Sequence, residues 1–90
     1  MYRLEVSPAA DRDLDRLKKR IRRQDFERFR TYIGSLADKP RPRGVRKIKG
    51  VERAYRIRVG RYRVVYEIYD NENLVVLLQI ARRTETTYRN

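Results

Sequence analysis

Ninety residues, with 24 lysines and arginines against 12 aspartates and glutamates and neither cysteine nor histidine, carry a formal charge of +12. That length allows one domain with a modest core and excludes a second. The missing residue types exclude disulfides, thiolate chemistry, zinc held by cysteine or histidine, and imidazole acid–base catalysis. An excess of positive charge repels itself and points to a polyanionic partner, nucleic acid or the ribosome first, with an acidic protein or an anionic membrane surface as rivals. The opening MYRLEVSPAADRDL lacks the apolar run of a signal peptide, and no stretch approaches the roughly 18 apolar residues of a membrane span. A soluble, intracellular, cytoplasmic protein is expected.

Tyr2 to Val6 alternates and is short, which predicts a first strand. Ser7 followed by Pro8 predicts a helix start, because the serine oxygen can cap free amides and proline at the first helical position forfeits no hydrogen bond. Asp11 and Asp13 sit near the positive end of that helix dipole, and Lys18, Lys19 and Arg20 near its negative end. Ala10, Leu14, Leu17 and Ile21 form one apolar stripe, and Phe26, Phe29, Ile33 and Leu36 a second, with a break expected near Arg23 to Asp25. Two amphipathic helices in a hairpin follow from this spacing.

From Ala37 the composition changes to ADKPRPRGVRKIKG, whose prolines and glycines stop a helix and whose last twelve residues include six basic ones. A basic loop is expected here, leading into a short strand over Val45 to Ile48. Three better strands follow, Ala54 to Val59, Tyr62 to Tyr69 and Leu74 to Arg82, the last two separated by the polar turn DNEN. The order β-α-α-β-β-β-β predicts an α+β fold, a mostly antiparallel sheet with the two-helix hairpin packed on one face, in a single domain spanning residues 1–90.

Gly60-Arg61 separates two alternating strands with glycine first, as a type II′ hairpin requires. The implied register sets Val59 opposite Tyr62, Arg58 opposite Arg63, Ile57 opposite Val64, Arg56 opposite Val65 and Tyr55 opposite Tyr66. Tyr55, Ile57, Val59, Tyr62, Val64, Tyr66 and Ile68 then share the face that meets the helices, and Arg56, Arg58 and Arg63 share the other. Arg58 and Arg63 form a directly opposed like-charge pair, which destabilises by about 0.2–1 kcal/mol and has little use in a purely structural sheet. On the last strand Leu74, Val76, Leu78 and Ile80 are expected to face the core, which leaves Gln79, Ala81 and Arg83 outside. Arg83 then approaches the other three arginines, and Tyr88 follows in a tail. Outward arginines taken singly are more often a solvated face; their convergence from several strands in so basic a chain is what singles them out.

Other chemistry is thin. Glu67 and Glu85 stand apart from other acids, so a two-acid hydrolase or a two-metal nuclease has little support. There is no phosphate-cradling glycine loop, and KKRIRR at Lys18 to Arg23 reads as the solvated side of a helix. No metal and no cofactor are expected.

The succession KIKG, YRIRVGRYRVVYEI and IARRTETTY resembles the RelE/ParE superfamily of type II toxin-antitoxin toxins, and its RelE branch in particular, over nearly the whole chain. That resemblance implies an endoribonuclease that enters the ribosomal A site and cuts the mRNA codon there by attack of a ribose 2′-hydroxyl on the neighbouring phosphate. It implies catalytic roles for Arg56, Arg58, Arg63, Arg83 and Tyr88: Arg56 and Arg63 on the phosphate, Arg83 at the leaving oxygen, Arg58 or Tyr88 assisting removal of the 2′ proton, and Tyr88 stacking on a base. Arg56 and Arg58 stand where the best-known members carry lysine. Basic residues around them, Arg46, Lys47, Lys49, Arg61 and Arg82, are expected RNA contacts. The partners implied are mRNA, the ribosome and a cognate antitoxin protein, with no membrane. Two alternatives remain open: a ParE-like inhibitor of DNA gyrase, which does not need the converging arginines, and a non-catalytic RNA- or ribosome-binding module, which would use them as phosphate contacts only.

Overall fold

A computed structural model describes residues 1–83 of the protein. Its elements are β1 (Arg3–Val6), α1 (Pro8–Arg20), α2 (Arg23–Ser35), β2 (Arg46–Lys47), β3 (Ala54–Val59), β4 (Tyr62–Tyr69) and β5 (Leu74–Arg82). The strands form one sheet in the order β1-β5-β4-β3-β2, antiparallel throughout except that β1 runs parallel to β5. The α+β layout expected from the sequence is therefore present, and the bounds of β3, β4 and β5 coincide with the expected ones.

Local chemistry explains the helices. Ser7 is extended and its Oγ accepts from the Ala10 amide at 3.1 Å, with Pro8 in the first turn. The chain leaves α1 through two extended residues, Ile21 and Arg22, slightly earlier than the expected break. Ala10 and Leu17 from α1 and Phe26, Phe29 and Ile33 from α2 are buried, and Leu36 joins them just past the second helix. They cover Ile57, Val64, Tyr66, Ile68, Val75, Leu77 and Ile80 on one face of the sheet, with Tyr55, Val59 and Tyr62 packed at the margin. None of the described helices is long and apolar enough to cross a membrane.

The last strand departs from expectation in its first half. Val75 and Leu77 face the core, while Leu74, Val76 and Leu78 are only partly buried. The cause is a β-bulge: Val65 pairs with Gln79 but Tyr66 pairs with Leu77, so Leu78 is an extra residue without a partner on β4. Beyond the bulge the phase is reversed, which returns Ile80 to the core and turns Gln79 and Ala81 outward. Two contacts brace this stretch. The Ile80 amide donates to Asp13 Oδ2 on α1 at 2.9 Å, and the Leu78 carbonyl accepts from Ser7 Oγ at 3.3 Å.

The basic loop is fastened at the start of its proline run. Tyr66, with no exposed surface, donates its hydroxyl to the Pro40 carbonyl at 2.7 Å. Arg41 forks onto Asp70 through Nη1 and Nη2 at 3.2 and 2.8 Å, and lies over the Tyr55 ring. Tyr2 donates to the same carboxylate at 2.6 Å, so Arg41 and Tyr2 together hold Asp70 below the usual carboxylate range. Arg41 is thus a structural cation, and the loop that follows it is carried to the opposite edge of the sheet.

Candidate functional site: a cationic sheet face

The hairpin register is the expected one from Ala54–Glu67 to Val59–Tyr62. Gly60 takes φ +59° at the first turn position while Arg61 stays out of the left-handed region, as a type II′ turn demands. Two cross-strand rows result on the face away from the helices. One runs Arg46, Arg56, Val65, Gln79 over β2, β3, β4 and β5; the next runs Arg58, Arg63, Ala81 over β3, β4 and β5. Arg46 and Arg56 are directly opposed, and so are Arg58 and Arg63. Two like-charge pairs therefore stand side by side, each unfavourable by about 0.2–1 kcal/mol.

No carboxylate of the described residues pairs with them. Among the described residues, the ion pairs use Arg3, Arg16, Arg22, Arg28, Arg30, Arg41 and Arg53, and none uses Arg43, Arg46, Arg56, Arg58 or Arg63. Arg63 goes further: its Nε is buried and makes no hydrogen bond among the described residues. A buried, unpaired donor on a charged group costs about 1–3 kcal/mol. That cost falls on a member of one of the two like-charge pairs and adds to the repulsion already there.

The surface is concave. A cleft of about 370 Å³ is lined by Arg43, Gly44, Arg46, Arg56, Arg58 and Arg63. A second, of about 670 Å³, shares Arg46, Arg56 and Arg63 and continues over Lys49, Val65 and Gln79. The loop before β2 and the β2–β3 connection form the walls, and the rows above form the floor. Arginine forks on the floor of a trough can hold phosphate oxygens in pairs, with the sheet fixing their positions.

The expected site residues separate into those that join this array and those that do not. Arg46, Arg56, Arg58 and Arg63 converge, and Lys49 borders them. Arg83 lies just past β5, its amide donating to the Arg61 carbonyl at 2.7 Å and its Nη1 to the Gly60 carbonyl at 3.4 Å, so it stands at the hairpin turn. Arg61 is in that turn, exposed. Lys47 turns to the other face: its ammonium lies over the Tyr55 ring at 5.3 Å and donates to the Val51 carbonyl at 2.9 Å and to the Glu52 carbonyl. Arg82 pairs with Tyr62 and borders a cleft beside α1 with Asp13, Arg16 and Arg20. Tyr88 and Glu85 lie outside the described residues. Arg43 was missed as a site residue; its sole signal was membership of the basic loop, since only the fold brings that loop to the trough.

Comparison with known proteins agrees with this architecture. The family model described as the ParE toxin of the type II toxin-antitoxin system parDE matches residues 4–86. The Mycobacterium tuberculosis toxin RelE is 34% identical over 88 residues, covering 98% of this chain and 87% of that protein. The RelE of the Pyrococcus horikoshii RelE–RelB complex superimposes with a TM-score of 0.76 at 25% identity, covering 93% of this chain and 97% of the other. The isolated Escherichia coli RelE toxin shares the fold, with a TM-score of 0.72 at 20% identity over 97% of this chain and 92% of the other. A five-stranded sheet under a helix hairpin, a family match spanning most of the chain and a full-length relative above 30% identity lead to one conclusion: this chain belongs to the RelE/ParE superfamily of type II toxin-antitoxin toxins.

Proposed function

We propose that the protein is a metal-independent endoribonuclease that cuts mRNA in the ribosomal A site and so inhibits translation. The observation that carries this reading is the arginine trough, in which Arg46, Arg56, Arg58 and Arg63 share one rigid face without an ion pair among the described residues and Arg63 Nε is left unsatisfied. In the reaction, a ribose 2′-oxygen bonds to the adjacent phosphorus and loses its proton, and the bond to the 5′-oxygen breaks as that oxygen takes a proton. The products are a cyclic phosphate, or the 3′ phosphate from its hydrolysis, and a 5′-hydroxyl.

Charge accumulates on the phosphate oxygens between the two events, and stabilising it is where fixed cations act most strongly. Arg56 and Arg63 hold those oxygens, while Arg83, beside the hairpin turn, serves the leaving oxygen. Arginine keeps its proton near neutral pH, so Arg58 contributes charge rather than acting as base. Removal of the 2′ proton then falls to Tyr88 or to groups of the ribosome. Arg46, Lys49 and Arg61 add contacts along the RNA, whereas Arg82, beside α1, lies away from it. A cognate antitoxin, of the kind RelB is to the Pyrococcus horikoshii RelE, would mask this face when bound; an acidic segment suits a +12 chain.

Gyrase inhibition is the second reading, favoured by the match to the ParE family model. It leaves the unsatisfied Arg63 and the opposed arginine pairs without a task, and is ranked lower for that reason. The test is to add purified protein to ribosomes stalled with a defined codon in an empty A site and map the mRNA ends, with free mRNA, an Arg83→Ala variant and a gyrase supercoiling assay alongside. Cuts inside that codon, absent from free mRNA and lost in the variant, are expected. Intact mRNA at saturating protein, with supercoiling inhibited, overturns the reading.

A further inference from the structure

One row of the trough changes character along its length. Arg46 and Arg56 are charged, but the same row continues into Val65 and Gln79. Among the described residues lining the two arginine clefts, Gln79 is the sole neutral side chain that both donates and accepts hydrogen bonds. It is exposed, and its amide group makes no hydrogen bond within the described protein. Val65 beside it is half-buried and apolar. Gln79 lies diagonally across from Arg63, about 7–8 Å away at the backbone, which is close enough for one nucleotide to touch both.

The position is also built. Val75 and Leu77 point into the core, so an unbroken strand would send residue 79 inward as well. The extra residue at Leu78 reverses the phase and aims Gln79 into the trough, and Asp13 holds the very next amide. Arginines on phosphate are blind to sequence, whereas an amide reads a base edge. A glutamine presents a donor and an acceptor side by side, which matches the N6 amino group and N7 of adenine, and single-stranded RNA leaves that edge accessible.

We propose that Val65 and Gln79 form a base-reading subsite that takes the adenine of a nucleotide whose phosphate is held by Arg56 and Arg63. This deepens the assignment of the trough as an RNA site and rests on it. Val65 offers the base an apolar surface, and Gln79 makes the paired hydrogen bonds.

The test is equilibrium binding, by fluorescence anisotropy at fixed low salt, of oligoribonucleotides that differ only in one central residue, UUAUU, UUGUU, UUCUU and UUUUU, plus a 7-deazaadenosine version that lacks the N7 acceptor. The adenine oligonucleotide is expected to bind about tenfold tighter than the others, and the 7-deaza version to lose that advantage. Gln79→Ala should bring all of them to the level of the weaker set without changing the salt slope, while Arg56→Ala should weaken all of them together and lower the slope. Equal affinities in the wild type, or an adenine preference that survives Gln79→Ala, overturns the subsite. Failure of the nuclease reading looks different: the adenine preference and its dependence on Gln79 persist while stalled ribosomes keep their mRNA intact.

Discussion

Replacing Arg63 by methionine should make the protein more stable, contrary to the usual outcome for a partly buried residue. Methionine keeps an unbranched apolar stem in the place of the arginine stem and removes the guanidinium. Removal relieves the opposition with Arg58, about 0.2–1 kcal/mol, and eliminates the buried Nε that has no acceptor, about 1–3 kcal/mol. A net gain of about 1–3 kcal/mol follows, which for a domain this small raises Tm by at least about 4 °C. The repulsive part is screened by salt, so the wild type should gain more than the variant between 0.05 and 0.5 M salt. Urea denaturation of both proteins at the two salt levels measures these differences, and the Arg58→Met and double variants isolate the coupling. A variant less stable than the wild type, or one with the same salt response, would refute the idea that this face is strained for an anion.

Tyr66→Phe should cost about 1–3 kcal/mol, because the Pro40 carbonyl loses its buried donor, and thermal melts against the wild type check it. The same residue sets an alkaline limit. Burial pushes the Tyr66 hydroxyl above its ordinary 10.0, so the unfolded chain ionises first and stability falls as pH rises past 10; in Tyr66→Phe that contribution is absent. At the acid end, Asp70 is held below its ordinary 3.8, so its stabilising contribution is present above about pH 4 and is lost as pH falls through the lowered value. Asp70→Asn should be less stable at pH 7 and show a shallower loss of stability between pH 4 and 2 by urea titration. Asp13→Ala should free the Ile80 amide, loosen the bulge and speed hydrogen exchange at residues 79–82 before the rest of β5.

Much of the fold was legible because its signals are local. A glycine at the first position of a two-residue turn fixes one hairpin register, and that register assigns every residue of β3 and β4 to a face. Ser7 and Pro8 start a helix wherever they stand next to an apolar stripe. The bulge was not legible, because LVVLL is apolar in both phases and alternation carries no information there; the fit of Val75 and Leu77 under the helices decides. Nor could sequence tell Lys47 from Arg46. Adjacent residues on a strand point to opposite faces, and Lys47 is captured by carbonyls of a loop whose path depends on Gly50, at φ +80°. Arg41 and Arg43 look alike in the basic loop, yet the first is tied to Asp70 and the second lines the trough.

The most direct measurement places a single 2′-deoxyribose at the nucleotide whose 2′-hydroxyl attacks, within the A-site codon of a ribosome-bound mRNA, and compares its cleavage with that of the all-ribose message. Cleavage of the ribose message to cyclic or 3′ phosphate ends, and an intact deoxy message, is the predicted result. Cleavage that persists through the deoxy substitution would contradict a nuclease built from arginines and the substrate's own hydroxyl.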